Sequence, residues 1–332
     1  MKSISVMTPC YNEEGNVQEV YQRVRAAIAG LGPGYIYEHV FIDNASRDNT
    51  WAELRKLAAA DKNVKIIRNT RNFGHIRSPM HAFHQCSGDC VIGLVADLQD
   101  PPEMIPQMVA KWEEGFPVVV CVKTGSDEHG LMYWIRTKYY RLVNRLSGVE
   151  TYENFTGFGL YDRRVVDAIK SMRDPYPYFR GLVAEIGYPH YSIEFHQPLR
   201  RRGITKNNFY SLYDNAMLGI TNLSKVPLRL VSFAGFLGAL LSVCLGFAYL
   251  IYKLVFWKNF SVGIAPLVIG MFFLASIQLV SLGIIGEYIG QIHTQIQDRP
   301  FVFEQERVNF EYPPGEPLIS ALTEIANEER KA

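Results

Sequence analysis

The fold is decided by a pattern that begins with KSISVMTPCYNEE at residues 2–14, where a short apolar run leads directly into a polar cluster. Runs of this kind predict five strands: Ile4–Thr8, His39–Ile42, Val64–Arg68, Cys90–Ala96 and Val118–Val122. Between the first two, apolar residues recur at helical spacing from Val17 to Ile28, which predicts a helix with Asn12 as its N-terminal cap. Strands that alternate with helices predict an α/β fold with a mostly parallel sheet over residues 1 to about 125.

Polar clusters follow four of these strands directly: Pro9–Glu14, Asp43–Asp48, Asn69–Gly74 and Asp97–Asp100. In an open α/β sheet, ligands bind beyond the carboxyl ends of the strands. Each cluster taken alone also fits a turn, and Pro101 and Pro102 also fit a helix start. Their shared placement predicts one binding site.

Composition excludes several classes of protein. The chain has 332 residues, a formal net charge of +1 and five cysteines. This balance argues against a disordered chain and against a nucleic-acid partner. The odd, scattered cysteines are typical of reduced thiols, and Cys86 with Cys90 lacks the second ligand pair that a zinc site needs.

The sequence lacks the motifs of several common kinds of active site. The sequence contains no GxxxxGK[ST], GxGxxG, HExxH or GxSxG pattern, so P-loop, dinucleotide, zincin and serine hydrolase sites have no motif support. A carboxylate at a strand end could instead hold Mg²⁺ or Mn²⁺ against a diphosphate, because these ions need few protein ligands beside substrate phosphates. Asp97 is the best placed carboxylate for that task.

Two apolar runs indicate membrane spans. The first has 23 uncharged residues between Arg229 and Lys253, and the second has 28 between Lys258 and Glu287. As a helix, 23 residues span roughly 34 Å, enough for a hydrocarbon core of about 30 Å. The short connector predicts a hairpin with both chain ends on one side, and buried core helices are the alternative.

Charge and apolar spacing near the spans predict topology. Six cations precede the first span: Arg200, Arg201, Arg202, Lys206, Lys225 and Arg229. Only Lys253 and Lys258 lie near the connector, so the positive-inside rule places the N-terminal part in the cytoplasm. Apolar residues at helical spacing from Phe209 to Leu223 predict an interfacial helix, although a helix packed on the domain would look the same. The apolar run at the N-terminus is too short for a signal peptide.

The predicted organisation therefore has four parts. Residues 1–205 form the cytoplasmic domain, 206–228 an amphipathic juxtamembrane helix, 229–290 a two-helix transmembrane hairpin and 291–332 a cytoplasmic tail. Glycines in the spans, such as Gly235, Gly238, Gly246 and Gly270, would permit close packing within a chain or in a homo-oligomer.

Seven motifs carry a family resemblance: TPCYNEE at Thr8 to Glu14, IDNASRDNT at Ile42 to Thr50, RNFG at Arg71 to Gly74, ADLQDPPE at Ala96 to Glu103, TGFGLYDRRVV at Thr156 to Val166, RGITK at Arg202 to Lys206 and IGEYIG at Ile285 to Gly290. On these residues the chain resembles family 2 glycosyltransferases of the GT-A (Rossmann-like) fold. It is most similar to the polyisoprenyl-phosphate branch, which includes dolichol-phosphate mannose synthase and bacterial bactoprenol glucosyltransferases.

The resemblance implies roles for individual residues. The base, ribose and diphosphate of a UDP- or GDP-linked sugar would be bound by Pro9, Tyr11, Glu13, Asp43, Arg71 and Asp97. Asp97 and Gln99 would hold the metal. Arg200 and Lys206 would meet the phosphate of the lipid acceptor, and Arg136 is a further cation for that role, although a solvated helix face explains it equally well.

Two departures from the family pattern concern carboxylates. Val95 stands where the metal motif usually begins with Asp, and Phe158 follows the Thr156–Gly157 pair where relatives commonly carry Asp. Because a phosphate monoester is already largely dianionic at pH 7, the acceptor needs little help from a base. If a carboxylate assists, the candidates are Asp100, Glu153, Asp162 and Glu185.

The sequence thus predicts an inverting transfer of one sugar from a nucleotide sugar to polyprenyl (undecaprenyl) phosphate at the cytoplasmic face of a bacterial-type inner membrane, for cell-envelope glycans. A processive polysaccharide synthase is an alternative, but its QxxRW signature and additional spans are absent from the sequence. A catalytically inactive, membrane-anchored binding module is the other alternative. Neither the sugar nor the nucleobase can be inferred from the side chains.

Overall fold

The computed structural model describes residues 1–125, 155–198, 217–221, 224–256, 264–297 and 299–310. The described residues of 1–198 and 299–310 form one compact unit, and those of 217–297 form a second. The first unit is an α/β domain, and the second consists mainly of two long helices.

Eight strands and six helices build the α/β unit, as far as the described residues extend. The strands are β1 (Lys2–Cys10), β2 (Tyr35–Asp43), β3 (Val64–Asn69), β4 (Cys90–Gly93), β5 (Val118–Gly125), β6 (Phe155–Asp162), β7 (His190–His196) and β8 (Glu304–Val308). The helices are α1 (Val17–Ala29), α2 (Thr50–Ala60), α3 (Gly74–Gln85), α4 (Ile105–Glu113), α5 (Arg163–Ser171) and α6 (Phe179–Ile186).

The strands form one mixed sheet in the order β7-β5-β6-β4-β1-β2-β3-β8. The central strands β4, β1, β2 and β3 run parallel, whereas β6 and β8 run antiparallel to β4 and β3. Because β2 and β3 extend to one side of β1 and β4 lies on the other, the strand order reverses at the β1/β4 boundary. This reversal is the switch point at which open α/β sheets bind ligands.

Two hydrophobic clusters cover the two faces of the sheet. Val17, Val20, Val24 and Ile28 of α1 are all buried in the first cluster, as their spacing predicts. The second cluster lies under α3, α5 and α6 and has Tyr161 and neighbouring aromatic rings in edge contacts. Burial on both faces holds the central strands in a fixed register, so the loops at their ends start from fixed points.

The predicted α/β class is confirmed, with local corrections. The strand predicted over Cys90–Ala96 ends at Gly93, because the N–H of Val95 is bonded to the Asp100 carboxylate instead of a neighbouring strand. Asn12 does not cap α1: the helix begins at Val17, and Asn12 has a positive φ of 57° in the preceding loop.

Strands β6, β7 and β8 are not among the five strands that the sequence predicts. Of these three, β8 adds to the β3 edge after both long helices, with Ile66 opposite Val308. His81 and Arg307 both contact the Glu304 carboxylate, and Asn309 donates to the carbonyls of Ala58 and Val64. The chain therefore returns from the second unit to the sheet of the first.

The second unit contains helices α7 (Val226–Val255) and α8 (Ile264–Ile296). Both are long and apolar enough to cross a membrane. Their large apolar side chains are exposed, Phe236 at 77% and Leu279 at 69% for example, so they are not core helices of this chain. Tyr288 Oη donates to the Ser224 carbonyl within this unit. Most of the predicted interfacial helix lies outside the described residues.

Candidate active site

The candidate site lies at the carboxyl ends of β1, β2 and β4. The register pairs Cys10 with Asp43 and Met7 with Gly93, so the clusters that follow these strands start beside one another. Sequence order alone predicted this grouping, and the parallel sheet accounts for it.

Hydrogen bonds connect the loop after β1 to the loop after β2. The N–H of Asn12 donates to Ser46 Oγ at 2.9 Å, and the N–H of Arg47 donates back to Asn12 Oδ1 at 2.9 Å. The N–H of Glu13 donates to Thr50 Oγ1 at 2.8 Å, and the Glu13 carboxylate accepts from Asn16. Side chains of one loop thus satisfy the backbone of the other, which fixes both loops relative to the sheet.

Asn44 is a buried connection that sequence reasoning missed. Its Nδ2 donates to Asn72 Oδ1 and to the Gly74 carbonyl, both at 3.0 Å. Its Oδ1 accepts from Asn69 Nδ2 at 3.0 Å and from the N–H of Phe73 at 2.9 Å. This single amide therefore links the loop after β2 to the loop after β3, including the RNFG segment.

Asp43 has a fully buried carboxylate that is only half satisfied. Its Oδ1 accepts from the N–H of Ser46 at 3.1 Å. Its Oδ2 has no hydrogen bond from any described residue, and Arg68 Nε lies 3.6 Å away. Burial raises the pKa of Asp43, while Ser46 and Arg68 oppose that rise. A buried oxygen of this kind favours a ligand that brings an N–H or O–H donor.

The carboxylates of the β4 loop lie at the switch point. Asp97 is partly buried, and its Oδ1 accepts from the N–H of Gln99 at 3.1 Å. Asp100 is buried, and its Oδ2 accepts from the N–H of Val95 at 3.2 Å. Burial and then the Asp97 charge raise the pKa of Asp100 to about 7. Leu98 has a positive φ of 62°, so this turn holds backbone strain between the two aspartates.

The donor set of this loop fits a metal shared with a substrate diphosphate. No group of three His, Cys, Asp or Glu side chains that could hold a metal alone occurs among the described residues. Asp97 supplies one carboxylate and Gln99 one amide oxygen, and Mg²⁺ is commonly held by one or two protein carboxylates beside phosphates and waters. Val95 is 39% exposed at the position of the missing carboxylate.

The structure separates the proposed bases. The Thr156–Gly157 pair starts β6 near the site, since a Cβ on Gly93 would lie 3.6 Å from the Gly157 carbonyl. Asp162 ends the same strand opposite Cys90, at the amino ends of the parallel strands. There its carboxylate caps α5 by accepting from the N–H of Arg164, and it also accepts from Trp112. Glu185 is exposed on α6.

The remaining predicted nucleotide-site residues border the same loops. Pro9 pairs with Ile42, Tyr11 is partly buried, and the Arg71 guanidinium lies 4.0 Å from the Phe73 ring centroid. Four predicted residues lie outside the described part of the chain: Arg136, Glu153, Arg200 and Lys206.

A site at the switch point of a mixed α/β sheet places the protein in the class of α/β proteins that bind ligands beyond the carboxyl ends of their strands. Comparison with known proteins makes this specific. The profile of glycosyl transferase family 2 matches residues 5–170. An uncharacterized glycosyltransferase of Synechocystis is 31% identical over 316 residues, 95% of this chain and 98% of that protein.

A second relative is named bactoprenol glucosyl transferase, from Shigella phage SfII. It is 34% identical over 298 residues, 90% of this chain and 96% of that protein. Among solved structures, glucosyl-3-phosphoglycerate synthase from Mycobacterium tuberculosis, in complex with Mn²⁺, UDP and phosphoglyceric acid, aligns with a TM-score of 0.45 and 18% identity over 66% of this chain and 76% of that one. The chain belongs to glycosyl transferase family 2, and it is a glycosyltransferase with an α/β GT-A fold.

Proposed function

We propose that this glycosyltransferase transfers one sugar from a UDP- or GDP-linked donor to polyprenyl phosphate at the cytoplasmic face of a bacterial-type inner membrane. The observation that carries the donor half is the buried Asp43 carboxylate, whose Oδ2 has no hydrogen bond from any described residue. The acceptor half is supported by relatives named bactoprenol glucosyl transferase that cover 90% or more of this chain.

In the donor half, Asp43 accepts a hydrogen bond from the nucleobase or ribose. The Arg68 guanidinium 3.6 Å away favours the ionised form that this role requires. Pro9 lies at the end of β1, and Tyr11 and Glu13 follow on the loop held by Ser46 and Thr50. Arg71 is the cation proposed for the donor on the third loop.

In the diphosphate half, Asp97 and Gln99 would hold Mg²⁺ or Mn²⁺ together with the donor diphosphate. The bound cation would offset the negative charge that develops on the leaving nucleoside diphosphate. Asp100 supports this turn through its bond to the N–H of Val95, so we assign it a positioning role.

The transfer is a single displacement with inversion. An oxygen of the acceptor phosphate attacks the anomeric carbon, and the bond from that carbon to the diphosphate breaks. The nucleoside diphosphate leaves with the electron pair. Because the phosphate monoester has its second pKa near 6, no residue has to remove a proton, and catalysis rests on alignment and charge stabilisation.

Cationic residues are proposed to bind the acceptor phosphate: Arg136, Arg200 and Lys206. They lie outside the described residues, so their role follows from the family resemblance and from their sequence position before the first span. Glu153 likewise stays a predicted candidate. We do not include Asp162 as a base in this proposal, because it caps α5 at the amino ends of the parallel strands.

Membrane insertion as a two-span hairpin is supported by two observations. The exposed apolar surface of α7 and α8 would be unfavourable in water. In addition, β8 pairs with β3 after both helices, so the segments before and after the helices belong to one folded unit and must lie on one side of a membrane. Two spans satisfy that condition and one does not. A Cβ on Gly235, Gly238 or Gly270 would meet no atom within 4 Å, so no described residue packs closely against these glycines. Their use in packing between copies of a homo-oligomer stays a prediction.

The experiment is a transfer assay with purified full-length protein in detergent, undecaprenyl phosphate, MgCl₂ or MnCl₂ and a panel of radiolabelled nucleotide sugars. We expect butanol-extractable label with one donor and mass-spectrometric detection of a lipid that carries one sugar. No lipid-linked label with any donor would refute the acceptor assignment.

The same assay separates the alternatives. A polymeric product would indicate a processive polysaccharide synthase. Calorimetric binding of donor or lipid without turnover would indicate an inactive binding module. EDTA should abolish transfer, and full activity in EDTA would refute the metal assignment.

A further inference from the structure

A second concave site exists on the α/β unit, apart from the loops at the strand ends. It is an open cavity of about 670 Å³ between α3, α5 and the segment that precedes β8. The lining residues that carry the argument are His84, Lys170, Arg173, Pro175, Arg299 and Phe301. None of them takes part in the proposed transfer.

The cavity carries excess positive charge. Lys170, Arg173 and Arg299 are exposed and, within the described part of the chain, have neither an ion pair nor a hydrogen bond. Asp167 is the one carboxylate in the lining, and its Oδ1 lies 3.8 Å from Arg163 Nη1. Three cations around one cavity repel one another unless an anion binds between them.

The positive charge contributes to lowered pKa values of two basic groups at the cavity, His84 and Arg77. Burial, and after it the Lys170 charge, lowers the pKa of His84 to about 4, so the ring is neutral at pH 7. Its Nε2 is buried and has no hydrogen-bond partner among the described residues. Burial, and then Arg71 and Arg299, lowers the pKa of Arg77, which donates to the Pro300 carbonyl beside the cavity.

The cavity also has apolar walls and a defined position along the chain. Pro175, Pro300 and Phe301 provide apolar surface, and the Phe301 ring packs edge-on against His84 at 5.3 Å. Arg299 comes three residues after Ile296, the last residue of α8. Basic residues just beyond an apolar span lie at the level of lipid headgroups.

We propose that the cavity lined by Lys170, Arg173 and Arg299 binds a phosphate-bearing anion, and that its source is the headgroup of an anionic phospholipid. The three cations contact the phosphate, and the proline and phenylalanine side chains contact the glycerol and the first acyl carbons. The choice of a lipid source rests on the proposed span of α8, whereas phosphate binding rests on the cavity alone.

The test uses full-length protein in an uncharged maltoside detergent. Its melting temperature is measured against dioctanoyl phosphatidylglycerol, dioctanoyl phosphatidylcholine and inorganic phosphate. The variant is Lys170→Gln/Arg173→Gln/Arg299→Gln. The control, Lys2→Gln/Arg25→Gln/Lys56→Gln, removes three exposed cations whose partners, Glu113, Tyr21 and Glu53, belong neither to the cavity lining nor to β8.

We expect phosphatidylglycerol, but not phosphatidylcholine, to raise the melting temperature of the wild type and the control. In the cavity variant the apparent Kd for phosphatidylglycerol should rise by about tenfold or more, since charge-assisted contacts are lost. If inorganic phosphate gives the same cavity-dependent shift and competes with the lipid, the site is a phosphate site with a soluble source.

Equal shifts in the wild type and the cavity variant, or no shift with any anion, would overturn the proposal. Neither result depends on sugar transfer, which is measured separately on the same preparations. If the wild type binds phosphatidylglycerol but transfers no sugar, that result contradicts the proposed function and does not contradict this site.

Discussion

The two halves of the candidate site are built differently. The base side consists of the loops after β1, β2 and β3, which we propose bind the base and ribose, and the diphosphate side is the loop after β4. On the base side, the loops after β1, β2 and β3 are joined by reciprocal hydrogen bonds through Asn12, Ser46 and Asn44. On the diphosphate side, Asp97 and Asp100 accept from N–H groups of their own loop, those of Gln99 and Val95, and the Val95 side chain is exposed. If the donor binds as proposed, the base side is organised before binding, whereas the diphosphate side gains its remaining contacts from the donor.

The largest expected effect tests the diphosphate side. Asp97→Asn should lower turnover by roughly 100-fold or more, because charge stabilisation at the leaving group is lost. The melting temperature should change little, since an amide oxygen can still accept from the N–H of Gln99. Asp89→Asn is the matched control, because Asp89 precedes β4 at its other end. Unchanged turnover in Asp97→Asn would refute the metal assignment.

The next effect tests the base side through stability. Asn44→Ala removes four hydrogen bonds and leaves buried donors unpaired, which should cost about 3 kcal/mol. The melting temperature should fall by roughly 6 to 12 °C for a domain of this size. The exposed Asn63→Ala serves as the control and should change stability by less than about 0.5 kcal/mol. Equal melting of the two variants would show that the base-side loops are not held by Asn44.

Asp43→Asn sharpens the contrast between binding and chemistry. The variant should raise KM for the nucleotide sugar about tenfold with a smaller change in kcat, because a charged hydrogen bond to the donor is weakened. Steady-state kinetics with saturating lipid acceptor measure this split. A loss confined to kcat would move Asp43 from donor binding to the chemical step.

A gain of function probes the exposed position on the diphosphate side. Val95→Asp places a carboxylate at a side chain that is 39% exposed, and it keeps the N–H bonded to Asp100. The Mn²⁺ concentration for half-maximal activity should fall by roughly threefold to tenfold, since a second carboxylate joins Asp97. Val95→Asn is the uncharged control. An unchanged metal requirement would place residue 95 away from the cation.

The smallest effect at neutral pH concerns the strand beneath the base side. Burial lowers the pKa of His39 to about 3, so the folded state keeps the ring neutral. The folded pKa lies below the unfolded value near 6.5, so protonation of His39 favours the unfolded state. The free energy of unfolding is therefore unaffected by His39 above pH 6.5 and decreases as pH falls toward 3. His39→Gln should flatten the decline of melting temperature between pH 6.5 and 4. Parallel profiles would contradict this assignment.

Much of the fold could be predicted because the signals were local. The spacing of Val17, Val20, Val24 and Ile28 predicts the buried face of α1, and the polar clusters mark the strand ends. Long-range contacts left no such signal. Asn44 and Asn69 resemble ordinary turn residues in the sequence, and only the parallel register makes them buried partners.

The errors have the same origin. The apolar run through Ala96 predicts a long strand, but the Asp100 carboxylate takes the N–H of Val95 and ends it at Gly93. EQERV at β8 is too polar to predict a strand, because its stability comes from β3 and from His81. One placement also had no local signal: Asp162, a candidate base by residue type, accepts from Trp112, a long-range partner that the sequence does not reveal.

The late return of β8 has a consequence for biosynthesis. While the ribosome makes the two apolar helices, β3 has already emerged with Ile66 and Ile67 beside an open backbone edge. At about 5–20 residues per second, the covering strand follows roughly 10 to 50 seconds later. Nascent chains are therefore exposed to edge-to-edge aggregation during that interval, and the proposed insertion of the helices into a bilayer would compete with it in time.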